Sequence, residues 1–193
     1  MPKEIEIKFR VTDVRALTRR LRTTGFRLRT RRTLETNTLY DLPGKVLRNR
    51  KELLRIRKYG STWTLTHKSG KEIGRHSSRI ELEIKVADGK TLDAIVRALG
   101  YAPSFRYEKF RSEWIAGKTT QKKTGKGVIV VDETPIGNFC EIEGPPRWID
   151  ATAKKLGIAP KDYITKNYAT LFAEWKREAN SPADEMTFTA INL

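Results

Sequence analysis

The chain has 193 residues, with 38% hydrophobic and 32% charged, which supplies a core and excludes wholesale disorder. Its formal net charge of +16 points to a polyanionic partner: nucleic acid, an anionic membrane or a phosphorylated ligand. The single cysteine, Cys140, excludes an intrachain disulfide and a cysteine zinc cluster and fits a reducing cytoplasm. No apolar run approaches the ~20 residues of a membrane span, and the first residues lack the apolar segment of a signal peptide.

Residues 3–11 read as a strand, with Glu4, Glu6 and Lys8 on one face and Ile5, Ile7 and Phe9 on the other. Thr12 or Asp13 caps a helix predicted to run to about Thr24; Val14, Leu17 and Leu21 fall at helical spacing and Gly25 ends it. Residues 26–40 are expected to be extended, and Asp41-Leu42-Pro43-Gly44 to turn. A hairpin is predicted from 52–59 and 62–68 around Gly60-Ser61, then a polar loop over 69–77 and a strand over 78–86. A second helix is expected over about 91–99, with Leu92, Ile95, Val96 and Leu99 on one face and Gly100 as its stop. Strands follow at 105–116 and 127–133, separated by a long basic turn that holds Lys122, Lys123 and Lys126. Pro135-Ile136-Gly137-Asn138 makes a further turn, and 139–144 returns as a strand. Helices are predicted at 148–156 and about 161–178, the second with Ile164, Tyr168, Leu171, Phe172 and Trp175 as its apolar face. Residues 181–193 read as a C-terminal tail. Antiparallel hairpins dominate this order. The expectation is an α+β fold: one closed or nearly closed antiparallel barrel with peripheral helices, a single domain over residues 1–180.

The charged strand faces carry the chemistry. Glu4 with Glu6, Glu81 with Glu83, and Glu141 with Glu143 each sit two apart on one face. Adjacent carboxylates repel unless a cation or a base lies between them, and hard oxygen ligands select Mg²⁺, Mn²⁺ or Ca²⁺. The bases alternate in the same way: Arg55 with Arg57, Lys109 with Arg111, and Thr66 with Lys68, while Arg79 and Lys85 flank the central acid pair. Arginine offers phosphate a planar fork and lysine a point charge. Any one acid pair alone reads as a solvated strand face, and the bases can also pair with the acids in a purely structural network. Asp132, at the end of the apolar run Val128–Val131, is either a metal or water ligand or a turn residue. The arginines at 19, 20, 22, 27, 29, 31 and 32 read as solvated surface that raises the local concentration of an anionic substrate. The four tryptophans read as packing.

Glu4-Ile-Glu-Ile-Lys8 resembles the E-x-E-x-K signature of the CYTH family, the class IV adenylyl cyclases and thiamine triphosphatases, also called triphosphate tunnel metalloenzymes. Leu54-Arg-Ile-Arg57 is similar to its L-R-x-R strand, Thr66-His-Lys68 to its T-x-K, and Arg79-Ile-Glu-Leu-Glu83 to its R-x-E-x-E. Tyr107-Glu-Lys-Phe-Arg111 and Val131–Gly144 resemble the K-x-R strand and the D-…-G-x-F-x-E-x-E block. The match runs in order from about residue 3 to 175. It implies an eight-stranded antiparallel tunnel whose carboxylates bind Mg²⁺ or Mn²⁺ and whose bases bind a triphosphate. Carried over, Glu4, Glu6, Glu141 and Glu143 are metal candidates, with Asp132, Glu81 or Glu83 joining through water. Lys8, Arg55, Arg57, Lys68, Arg79, Lys109 and Arg111 are triphosphate candidates. Where the family carries Ser-Tyr on its last helix this chain has Asn167-Tyr168 after Lys166, which makes Lys166 an added phosphate candidate.

Such a site runs either of two reactions. Water attacks the terminal phosphorus of a triphosphate, or the ribose 3′-hydroxyl of ATP attacks the α-phosphorus and pyrophosphate leaves. No motif reads as an adenine pocket, which favours hydrolysis over cyclisation. Lys8 and Lys68 are the candidates to polarise the phosphate or assist the nucleophile, since a buried lysine beside other cations can lose its proton more readily. A non-catalytic RNA- or polyanion-binding barrel is the alternative of another class; the paired acids argue against it, because carboxylates gain nothing from facing phosphate. The expected partner is therefore a small-molecule triphosphate, with no nucleic acid and no membrane; a homodimer is compatible with the sequence.

Overall fold

The computed structural model of the chain describes residues 3–117 and 127–191. Eight strands close into an antiparallel barrel: β1 (Lys3–Val11), β2 (Phe26–Asp41), β3 (Leu53–Tyr59), β4 (Thr62–Ile73), β5 (Ser77–Val86), β6 (Ala102–Ala116), β7 (Val128–Thr134) and β8 (Gly137–Glu143). Around the barrel they run β1-β5-β4-β3-β2-β6-β7-β8, and β8 pairs with β1 to close it. The helices are α1 (Val14–Thr23), α2 (Val46–Asn49), α3 (Gly89–Ala98), α4 (Pro146–Lys155), α5 (Tyr168–Glu178) and α6 (Phe188–Ile191).

The period-two pattern determines what faces where. On β1 the apolar set points out of the barrel: Ile7 is 0% exposed and Phe9 2%. They pack with Trp114, Ile129, Val131, Cys140 and Ile142 of the neighbouring strands against Leu17 and Leu21 of α1 and Trp148, Ile149 and Ala153 of α4. Asp13 starts α1 by accepting the Ala16 N–H at 2.9 Å, and Pro146 opens α4 at the one position where a missing N–H does no harm. On the opposite flank Tyr40, Ile56 and Val96 form a smaller cluster beneath α3. Gly89 lets α3 begin flat on an indole: a Cβ there would lie 2.1 Å from Trp63. These two apolar cores lie outside the barrel; a third, with Tyr107, Phe139, Tyr168, Phe172 and Met186, reaches its interior, which is otherwise lined mainly by polar side chains.

Four sequence expectations change. Residues 69–77 do not form a loop; β4 runs on to Ile73 and only 74–76 turn. Gly70 at φ 60° absorbs a bulge between Ser69 and Glu72, after which Glu72 pairs with Ser78. Past the 41–44 turn lies the short helix α2, nucleated by Asp41, whose carboxylate accepts the N–H groups of Leu42, Leu47 and Arg48 at 2.8, 2.8 and 3.1 Å. The last long helix starts at Tyr168 rather than near 161. The Ile164 N–H donates to the Lys8 carbonyl at 2.7 Å, holding that segment extended, and Asn167 caps α5 by accepting the Thr170 N–H.

Residues 181–191, read as a tail, are folded onto the barrel. Met186 is 0% exposed; its N–H donates to the Arg106 carbonyl at 3.0 Å and its carbonyl accepts the Glu108 N–H at 2.9 Å. β7 pairs with β6 only from Phe110 onward. The backbone just before it lacks a strand partner on that edge, and the C-terminal segment supplies one. The expected basic turn at 118–126 lies outside the described residues. Among the described residues no helix is long and apolar enough to cross a membrane.

Candidate active site

With the apolar positions facing out, the alternate residues converge inside. Glu4, Glu6 and Lys8 of β1, Arg55 and Arg57 of β3, Lys68 of β4, Arg79, Glu81 and Glu83 of β5, Lys109 and Arg111 of β6, and Glu141 and Glu143 of β8 all line one cavity of about 320 Å³. Strand register brings distant parts of the chain face to face: Glu6 opposite Glu143, Lys8 opposite Glu141, and Glu4 opposite Arg79.

The acids divide into two groups. Ligand oxygens of Glu4, Glu6 and Glu143 lie within 4.8 Å of one another. Burial, then the nearby charge of Glu141, pushes the Glu6 carboxyl up; burial, then Glu141, Glu4 and Glu6 against the lowering pull of Arg111, pushes Glu143 up to about 8. Carboxylates so crowded hold protons tightly for want of a counter-ion. Together with Glu4, whose carboxylate lies 2.5 Å from Lys68 Nζ, they offer three hard oxygen donors that fit a divalent cation such as Mg²⁺ or Mn²⁺. Glu141 and Asp132, also expected among the metal ligands, are committed elsewhere. Glu141 lies 3.1 Å from Lys8 Nζ and 2.6 Å from Arg111 Nη2. Burial raises its pKa, but Lys8, Arg111 and Lys109 outweigh burial and hold it well below the usual carboxylate range. Asp132 is 0% exposed and accepts from Lys109 at 2.9 Å, from Arg111 twice at 2.7 Å, and from the Tyr168 hydroxyl at 2.7 Å. Its oxygens are saturated by donors, so it acts as the counter-ion of the basic wall and does not join the acid triad.

The bases form the facing wall. Burial and each other's charge push Lys109 down, yet Asp132, Glu35 and Glu141 prevail and hold it above its ordinary value. Arg57 Nη2 donates to Glu83 at 3.1 Å, and Arg55 Nη2 to Thr66 at 3.2 Å, with Glu81 and Glu83 at 3.9 and 3.8 Å. Lys68 Nζ is 2.5 Å from Glu4 and 3.3 Å from Glu81. Burial lowers its pKa, but those acids leave it above the ordinary lysine value. The expectation that Lys68 yields its proton readily is therefore corrected: it is a charged donor. Lys8 Nζ sits 4.5 Å from the Tyr168 ring centroid and donates to the Lys166 carbonyl at 3.3 Å. The Lys166 side chain itself does not enter the cavity. It is 53% exposed and bound to Glu174 at 2.7 Å, because the extended segment before α5 turns only its backbone inward.

Two tunnel residues were not among the predicted site residues. Glu35 on β2 is 0% exposed, 3.4 Å from Lys109, 3.7 Å from Arg111 and 3.9 Å from Arg57. Burial raises its pKa, but Lys109, Arg111, Arg55 and Arg57 hold it far below the carboxylate range. The signal that could have found it is its place as the sole acid among alternating Thr33, Asn37 and Leu39, the inward set of β2. Tyr168 was assigned to an apolar helix face, yet its hydroxyl reaches Asp132.

The geometry agrees with the comparisons to known proteins. Residues 2–168 match the model of the CYTH domain. The chain belongs to the CYTH-domain family. A Methanocaldococcus jannaschii protein named as a candidate adenylate cyclase is 24% identical over 172 residues, covering 87% of this chain and 97% of that one. A candidate adenylate cyclase from Vibrio parahaemolyticus has the same fold at TM-score 0.75 and 17% identity, over 88% of this chain and 97% of its own. A Hippeastrum protein that bears an adenylyl cyclase name and a dominant triphosphatase activity matches at TM-score 0.61 and 17% identity, over 89% of this chain and 95% of its own. These structural likenesses establish the CYTH tunnel fold.

Proposed function

We propose that this chain is a divalent-metal-dependent enzyme that hydrolyses a triphosphate inside the barrel, without a strict requirement for a nucleobase. The observation that carries the reading is the division of one cavity: an oxygen-only triad of Glu4, Glu6 and Glu143 faces a wall of Arg55, Arg57, Lys109 and Arg111, with Lys68 joining the two through Glu4. A structural ion network would not leave Glu6 and Glu143 crowded together without, among the described residues, a base in salt-bridge contact with either.

Mg²⁺ or Mn²⁺ held by the triad would neutralise developing charge and polarise a phosphoryl oxygen. The arginine forks and lysines bind the phosphate oxygens and keep the chain extended along the tunnel axis. Asp132, Glu35 and Glu141 pair with Lys109, Arg111 and Lys8 and fix their direction, so little reorganisation is left for the transition state. Lys68 donates to a phosphate oxygen as a cation. Glu81 and Glu83 serve to orient the attacking water and accept its proton. The same fold carries a dominant triphosphatase activity in the Hippeastrum protein. Buried, unpaired Cys140 supports a reducing, cytoplasmic setting.

Cyclisation of ATP is the second reading. It is favoured by a further cavity beside the tunnel, walled in part by Tyr40, Phe105 and Phe172, which has room for an organic group. One experiment separates the two. The protein is incubated with ATP, tripolyphosphate and thiamine triphosphate with Mg²⁺ or Mn²⁺, and orthophosphate, pyrophosphate and cyclic AMP are resolved. Orthophosphate released from tripolyphosphate is expected. Cyclic AMP and pyrophosphate from ATP, with tripolyphosphate uncut, would overturn hydrolysis.

A further inference from the structure

The tunnel adjoins a second cavity of about 540 Å³, and the two share Leu39, Leu53, Arg79, Asn167 and Ala169 as wall. Five cations line this mouth: Lys45, Arg48 and Lys51 from the α2 segment, Lys71 from the end of β4, and Arg79. Among the described residues none of the five is paired with a carboxylate, unlike Arg55, Arg57, Lys68, Lys109 and Arg111 in the tunnel. Two acids, Asp41 and Glu52, share the mouth wall, so the five cations remain in excess. Asp41 is saturated by three backbone N–H groups, and Glu52 lies 3.5 Å from His67 Nε2. Lys71 donates to the Thr165 carbonyl at 3.1 Å, and burial followed by the charges of Arg79 and Lys8 pushes its ammonium below its ordinary pKa. Leu39, Phe105 and Phe172 complete the wall and bring no counter-charge. Like charges gathered around one open mouth sum to a positive potential that draws an anion.

We propose that this mouth is a second anion subsite, which receives a phosphate group beyond the three held in the tunnel. The proposal rests on the triphosphate reading above and sharpens it to a substrate class: phosphoanhydrides with anionic charge past the third phosphate. That charge has two chemical sources, a longer inorganic polyphosphate chain or an organic triphosphate with an additional phosphate on its organic end. The subsite anchors and breaks no bond. A cationic organic end meets repulsion there.

The test compares the wild type with a triple variant, Lys45→Asn, Arg48→Gln and Lys51→Asn. Lys45 and Lys51 have φ of 57° and 59°, a left-handed backbone that asparagine tolerates, and all three side chains are exposed, so the barrel is retained. Melting curves verify this. With Mg²⁺ or Mn²⁺ at low salt, kcat/KM is measured for tripolyphosphate, tetrapolyphosphate, ATP and ATP phosphorylated on its ribose 3′-oxygen, and binding of the two inorganic chains is measured by calorimetry. Wild type is expected to prefer the member of at least one pair that carries the additional phosphate. The variant should lose about 10-fold of that preference, the scale of several exposed charge contacts together, with tripolyphosphate turnover unchanged. Loss confined to tetrapolyphosphate identifies the inorganic source, and loss confined to the ribose-phosphorylated nucleotide the organic one. Normal tripolyphosphate turnover with the same preference in both proteins overturns the subsite alone. Wild type that neither binds nor cleaves any of the four overturns the triphosphate reading beneath it.

Discussion

Inside the barrel the main basic residues each have acids beside them; at the mouth, among the described residues, no cation is in a salt bridge. Lys109 and Arg111 share Asp132 and Glu35, Lys68 leans on Glu4, and Arg57 on Glu83 and Glu35. Among the described residues, Lys45, Arg48, Lys51, Lys71 and Arg79 have no ion-pair partner. The difference follows from solvation. A charge removed from water needs a partner, whereas a charge at a rim keeps its water and can wait for a ligand. The tunnel is therefore preorganised and nearly neutral before substrate arrives, while the mouth supplies long-range attraction. It follows that metal and substrate help one another. Glu4 is the partner of Lys68 and also a member of the acid triad, so a cation that takes up Glu4 frees Lys68 for phosphate.

The sharpest test of this contrast removes a buried counter-ion. Glu35→Ala leaves Lys109 and Arg111 short of compensation and should cost about 3–5 kcal/mol of stability, measured by denaturant unfolding. Lys51→Asn at the mouth should stay within about 0.5 kcal/mol. Equal costs would erase the distinction. Next in size, Glu6→Gln should leave the melting curve near wild type yet lower kcat by about 10²–10³, the scale of removing an electrostatic contributor. Turnover that survives a chelator would refute the metal assignment behind it. Arg57→Ala should weaken transition-state binding by roughly 2–4 kcal/mol in kcat/KM, and Arg57→Lys should recover only part of this, because the fork is lost. Full rescue by lysine would leave point charge as the whole contribution.

A smaller effect concerns pH. The Glu143 carboxyl titrates at about 8 in the folded chain against an ordinary 4.5. Between those values the folded state retains a proton that the unfolded state has lost. Stability therefore falls as pH rises across that window, and the contribution is complete only below it. With chelator present, the melting temperature should drop from pH 5.5 to 8 by more than it does in Glu143→Gln, and Mg²⁺ or Mn²⁺ should restore it chiefly at pH 8. Identical profiles for the two proteins would contradict the crowded triad. Smallest of all, Lys166→Ala should change tripolyphosphate turnover less than twofold, since that side chain is exposed on Glu174. A larger loss would bring Lys166 back into the site.

The strands and their faces were legible because alternation is local. Glu4-Ile-Glu-Ile-Lys8 announces both its strand and the residues it sends inward, and the same holds for Arg55 with Arg57 and Arg79 through Glu83. The acids and bases were named, but which acid serves metal and which serves a base was not, because that depends on register across strands far apart in the chain. Glu6 meets Glu143, whereas Asp132 meets Arg111. Glu35 stayed hidden inside a stretch of Thr and Arg with little apolar contrast. The start of α5 was misjudged because Ile164 fits the helical period; a single backbone bond to Lys8 overrides that period. Met186 sits in a polar, Pro-containing stretch whose burial depends on a gap in the pairing of β6 that no local pattern reveals.

The apolar mass of the molecule lies between the barrel and its helices, so two separate alphabets are written along each strand. Outward letters set the apolar core, and inward letters set chemistry and bear on stability only through their charge balance. Every second position of β2, β3 and β6 can then be exchanged in charge-balanced pairs without touching Ile7, Trp114 or Ile142. Such a scaffold permits drift in substrate preference at constant stability. A library restricted to inward pairs on these strands should yield folded proteins far more often than one of equal size on the outward set, with selectivity varying freely among the survivors.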